Sequence, residues 1–91
     1  MCYVYILKCY DNTYYTGYTV DIERRLEAHQ KGLASKYTRG RTPVQLVYLE
    51  KNLSKSQALQ RELQIKKLTR AEKQHLIMQN AVDYSPTVDQ V

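Results

Sequence analysis

The sequence predicts an α+β fold: a small, three-stranded, mainly antiparallel sheet flanked by helices, in the order β-β-α-β-α-α. Three features of the chain predict it. Two tyrosine-rich extended stretches lie close enough to form a hairpin, a switch to helical spacing follows at Asp21, and two successive capping signatures open the last third of the chain. The first connection is too short for a parallel crossover, which argues against a doubly wound sheet.

The opening hairpin covers residues 3–9 and 13–18, rich in Tyr, Val and Ile around Asp11-Asn12. Residues paired across a hairpin share a face, so Tyr5 and Tyr15 share one only if paired residue numbers have an even sum. A three-residue loop, Tyr10-Asp11-Asn12, does this, setting Tyr5 opposite Gly17 and Leu7 opposite Tyr15, with Asn12 in the left-handed region it tolerates. A two-residue turn would put the two phenols on opposite faces.

Ile22, Leu26 and His29 or Gln30 then recur at helical spacing and Gly32 supplies a stop, so the first helix spans about residues 20–31. Residues 33–42 form a polar loop carrying Lys36, Arg39 and Arg41. Val44 to Leu49 makes a third strand, mostly buried. Ser54 followed by Gln57 opens a helix through about Leu68, with Leu59, Leu63 and Ala58 on its core face. Thr69 followed by Glu72 starts a last helix over about Arg70 to Asn80. Beyond it the pattern fades and Pro86 appears, so residues 1–81 read as one domain and 82–91 as a flexible tail.

With 14 Lys plus Arg against 9 Asp plus Glu, the chain carries +5. Residues 82–91 contain Asp83 and Asp89 and no base, so the body is more positive than the whole. That balance suits a polyanionic partner, nucleic acid first, and serves solubility equally well. The longest apolar run, Val4 to Leu7, is far below the roughly 20 residues that span a bilayer, and the N-terminus lacks signal-peptide features, so a cytoplasmic, non-membrane protein is expected. Cys2 and Cys9 lie seven residues apart on one strand, about 23 Å at 3.3 Å per residue, and read as reduced thiols. Two Cys and two His without ligand spacing make a structural zinc site unexpected. All nine aromatic residues are Tyr, whose hydroxyls need partners or a task.

Tyr3-Val4-Tyr5, Tyr15-Thr16-Gly17 about ten residues on, Arg25 on the first helix and Glu62 on a later one together resemble the GIY-YIG nuclease superfamily, its small stand-alone UPF0213-like members in particular. The resemblance covers about residues 2–80. It departs at Tyr3 (Gly in the family name), Thr16 (Ile), Tyr18 (Lys in some relatives) and His29 (Tyr in some). It implies metal-dependent hydrolysis of DNA phosphodiester bonds with one Mg²⁺ or Mn²⁺ ion, in DNA repair or processing.

The implied roles can be weighed against the residues present. Phosphoryl transfer needs an oriented water, a proton acceptor, positive charge on the phosphate and help for the leaving oxygen. Glu62 is the metal ligand by this reading, and Arg25 pairs with the scissile phosphate. Tyr5 is the first choice of proton acceptor and Tyr15 the second, provided Arg25 or the metal favours the ionised phenol. His29, one turn beyond Arg25, has three open roles: it bonds a tyrosine, holds a phosphate, or is itself the base. Gly17 lets substrate approach the backbone, Lys36, Arg39 and Arg41 grip phosphates, and Tyr37 stacks a base. The bland alternatives are strand tyrosines packed under helices, an exposed Arg25, and Glu62 as a surface partner of Lys66. A DNA-binding module without catalysis is the alternative function. With no room in the chain for a second DNA-reading domain, the expected activity is structure-selective, weak, or targeted by a protein partner; the oligomeric state is left open.

Overall fold

The computed structural model describes residues 1–80; the stretch read as a tail lies outside the described residues. The elements are β1 (Cys2–Lys8), β2 (Tyr14–Thr19), α1 (Ile22–Gln30), α2 (Lys36–Arg39), β3 (Gln45–Leu53), α3 (Lys55–Lys66) and α4 (Arg70–Gln79). One antiparallel sheet holds the strands in the order β2-β1-β3. The expected order of elements holds, with one correction: the polar stretch 33–42 is not all loop, because Ser35 caps the backbone of Tyr37 and starts the four-residue α2.

The hairpin closes through Tyr10, Asp11 and Asn12. Cys9 N–H donates to Thr13 O (2.8 Å), Asp11 accepts from the backbone and hydroxyl of Thr13, and Asn12 sits at φ 68°. The register is therefore Tyr5 opposite Gly17 and Leu7 opposite Tyr15. Central β1 is covered on both sides, which is why Val4 to Leu7 is an unbroken apolar run. Val4 and Ile6 pack with Tyr48 and with Ala58 and Ile65 of α3 on one face; Tyr5, Leu7 and Cys9 pack with Ile22 of α1 and with Val44 on the other.

Each helix boundary has a local cause. Asp21 caps α1 by accepting from Arg24 N–H. Gly32, at φ 76°, closes its other end: its N–H donates to His29 O and that of Leu33 to Ala28 O. Capping boxes at Ser54/Gln57 and Thr69/Glu72 start α3 and α4.

Two expectations need correcting. The third strand is an edge strand running Gln45–Leu53, and of its residues only Tyr48 is buried, because one side has no neighbour. The core face of α3 is Ala58 and Ile65, while Leu59 and Leu63 are 38% and 59% exposed. Ala58, Glu62 and Ile65 follow the i, i+4, i+7 line, so Glu62 lies on the inward stripe for a different reason than Leu59 and Leu63 suggested. Both cysteines are buried and free, and no helix among the described residues is long and apolar enough to cross a membrane.

Candidate active site

Tyr5 projects from the middle of β1 toward α1, and its hydroxyl lies 2.8 Å from Nε2 of His29. The other ring nitrogen, Nδ1, is 2.8 Å from Thr38 Oγ1, and Thr38 donates in turn to Ser35 O. With Thr38 donating to that carbonyl, His29 carries its proton on Nδ1 and offers the Nε2 lone pair to the phenol. Tyr5, His29 and Thr38 are all fully buried. Burial holds the His29 imidazole down at about 4, and the Arg25 guanidinium pushes in the same direction, so the ring is neutral at pH 7. Of its three open roles, bonding a tyrosine is the one it occupies; at 0% exposure it cannot grip a phosphate as it stands.

Burial also pushes the Tyr5 phenol well above its ordinary value, and Tyr15 adds to the rise. Arg25 pulls the other way, through its charge and its proximity to the hydroxyl, while the Glu62 carboxylate pushes up. Arg25 thus acts as expected and loses to desolvation, leaving a neutral phenol. The same balance puts the Tyr5 phenol under the electrostatic influence of three other predicted residues. One phenol oxygen feels a guanidinium from α1, a carboxylate from α3 and the ring of Tyr15, whose centroid is 6.3 Å away. Glu62 is 15% exposed and pairs with Lys66 at 3.2 Å, so the i, i+4 partner is real and the carboxylate is still half-buried.

Gly17 has a task that the sequence did not show. A Cβ there would meet Tyr5 Oη at 2.7 Å and Cζ at 2.9 Å, so the missing side chain makes room for the phenol. The basic segment is likewise only partly available. Arg41 is committed, donating to Asp11 (2.9 Å) and to Tyr37 O (2.6 Å) with its guanidinium 4.2 Å above the Tyr37 ring. The Tyr37 ring also stacks on Tyr15 at 6.0 Å, so it is engaged by two neighbours while still 38% exposed. Lys36 and Arg39 are exposed on α2.

Two features escape a reading of the sequence. Thr38 fixes the His29 tautomer from nine residues away, with only its place in a polar segment as a signal. On the far face, Arg61 donates to both oxygens of Glu50 and to Gln64, and Tyr48 donates to Glu50, which ties α3 to β3. Burial pushes the Glu50 carboxyl up, but these hydrogen bonds outweigh it and hold the group below its ordinary value; Tyr48 is pushed up to about 12, mainly by burial.

Known proteins give the arrangement a context. The family described as the GIY-YIG catalytic domain matches residues 1–75. A UPF0213 protein of Natronomonas pharaonis is 57% identical over 75 residues, covering 82% of this chain and 88% of that one. One from Syntrophus aciditrophicus is 58% identical over 79 residues, covering 86% and 91%. The solution NMR structure of a UPF0213 protein from Bacillus halodurans superposes with a TM-score of 0.59 at 42% identity, covering 94% of this chain and 93% of its own. An NMR structure from E. faecalis gives 0.56 at 37%, covering 90% and 91%.

Proposed function

The chain belongs to the GIY-YIG catalytic domain family, among its UPF0213 members, and on that premise we propose that it is an endonuclease cutting DNA phosphodiester bonds with one divalent ion, Mg²⁺ or Mn²⁺. The observation that carries this reading is that the Tyr5 hydroxyl, 2.8 Å from His29 Nε2, lies within the electrostatic influence of both Arg25 and Glu62, which come from two different helices.

Among the described residues no three His, Cys, Asp or Glu gather into a protein cage for a metal. Beside Tyr5, Glu62 offers a half-buried carboxylate, and one carboxylate completed by water and phosphate oxygens is a donor set that Mg²⁺ accepts, so the residues fit the ion. When bound, the ion supplies positive charge at the phosphate and at the leaving 3′ oxygen.

The remaining work falls to the chain. Arg25 holds two phosphate oxygens in its planar fork. Tyr5, neutral at rest, takes a proton from water only by passing its own to His29 Nε2. The water O–H bond breaks, the oxygen attacks phosphorus, the bond to the 3′ oxygen breaks, and that oxygen leaves with a proton from solvent. Arg25 is one of the two causes that hold His29 low, so a phosphate on Arg25 makes Nε2 more basic as substrate arrives. Because Tyr5 is fully covered in this state, substrate must also shift a half-buried neighbour, Arg25 or Tyr15.

The test is a panel of nicked, flapped, branched and single-stranded DNA with and without Mg²⁺ or Mn²⁺, beside Glu62→Gln. Metal-dependent nicking that the variant loses while still binding DNA is the expected result. No cleavage of any substrate refutes the proposal, and salt-sensitive binding indifferent to metal and to Glu62 would leave a binding module.

A further inference from the structure

A second feature lies beside this site, along the free edge of β2. Tyr14, Tyr15 and Thr16 of β2, Tyr37 of α2, Lys66 of α3 and Lys73 of α4 line one shallow hollow of about 200 Å³. Four separate elements converge there, which no single helix face or surface charge run would produce. Thr16 on its wall also carries an enclosed, unsatisfied hydroxyl. Thr16 is 3% exposed, and its Oγ1 finds no hydrogen-bond partner among the described residues, although buried hydroxyls are ordinarily paired. Arg70 of α4 adds a cation against one of the lining rings, its guanidinium 4.6 Å from the centre of the Tyr14 ring.

We propose that this hollow is a subsite for one backbone phosphate of the bound nucleic-acid strand, next to the phosphate held by Arg25. The inference rests on the reading of the protein as a DNA-acting enzyme for the identity of the strand, and on the hollow itself for the chemistry. Ammonium groups from two helices and tyrosine rings on one wall match an anionic ester with a sugar and base attached. Tyr15 belongs to both places, since its ring contacts Tyr5 and His29 at the site and also lines the hollow. A strand that lies across Tyr15 would therefore reach both. By this proposal Lys66 and Lys73 add to the grip expected of the cations of residues 36–41. Lys66 is shared, because its ammonium also pairs with Glu62. Among the described residues Lys73 makes no hydrogen bond or ion pair with Tyr5, Arg25 or Glu62, which makes it the cleaner probe.

Binding of a fluorescein-labelled oligonucleotide is measured by anisotropy without metal over a salt series from about 50 to 200 mM. The full chain, Lys73→Gln, Lys66→Gln and the control Lys31→Gln are compared; Lys31 lies on α1, paired with Glu27 at 3.2 Å. Each hollow variant should bind more weakly and lower the slope of log K against log salt by about 0.7 on a single strand or 0.9 on a duplex, the value of one lost phosphate contact. Lys31→Gln should leave the slope as in the unmodified chain. If Lys73→Gln keeps that slope, or if Lys31→Gln lowers it equally, the subsite is refuted and general charge is the explanation. Failure of the cleavage panel with a slope that still falls in Lys73→Gln would overturn the enzymatic reading and leave this one standing.

Discussion

Replacing Gly17 with alanine tests the site at its tightest point. The new Cβ would stand 2.7 Å from Tyr5 Oη, 2.9 Å from Cζ and 3.1 Å from Tyr15 Cε2, whereas ordinary contact begins at 3.4 Å. The phenol or the strand must therefore give by about 0.7 Å, the gap between those two distances. Neither is free to do so cheaply, because Tyr5 is fully buried and its hydroxyl bonds His29 at 2.8 Å. Overpacking of this kind costs about 1–3 kcal/mol, and a buried Nε2 left without its phenol costs about 1–3 more. The two penalties overlap, so about 3 kcal/mol is expected. At about 4–8 °C per kcal/mol for a domain of this size, the melting temperature should fall by about 12–24 °C. Calorimetry or circular dichroism reads it directly. The φ of Gly17 lies outside the left-handed region, so no backbone penalty confuses the outcome. A second background sharpens the assay: Tyr5→Phe removes the nearest atom, so Gly17→Ala should cost at least about 1 kcal/mol less there. If Gly17→Ala melts within about 4 °C of the unmodified chain, or the two changes are additive, Gly17 is not spacing the phenol.

Acid should weaken the fold through His29. Its folded value of about 4 lies below the 6.5 of an exposed imidazole, so the unfolded chain binds more protons between them and stability falls as pH drops from 6.5 toward 4. That gap corresponds to at most about 3–4 kcal/mol. Urea midpoints from pH 7 to 4 should show this slope and His29→Gln should flatten it; an equal slope in both chains refutes it. Glu50, held below its ordinary 4.5, contributes above that value and loses its contribution at still lower pH, so the two windows separate. Arg61→Met should cost about 1–2 kcal/mol, less than a fully buried pair because Arg61 and Glu50 are 35% and 20% exposed. Chemical denaturation showing a loss under about 0.5 kcal/mol would mean that the pair does not fasten α3 to β3.

Much of this protein is written locally. The hairpin register follows from a three-residue loop whose last member tolerates the left-handed region, and the starts of α3 and α4 follow from capping boxes that satisfy their own backbone within four residues. Gly32 ends α1 by the same short-range logic. The candidate Tyr, Arg and Glu positions were singled out through a family resemblance, since spacing alone does not set them apart from ordinary strand and helix residues.

What required the tertiary structure is the identity of each partner. Leu59 and Leu63 look like the inner face of α3 by composition, yet packing on the sheet selects Ala58 and Ile65 because the small Ala58 lets the helix come close. Thr38 meets His29, and Glu50 meets Arg61, only after strands and helices have crossed distances that no local pattern encodes. Gly17 shows the division most plainly. Its place in a strand is readable from the chain, but the reason for its missing side chain is a phenol twelve residues earlier, brought against it by the sheet.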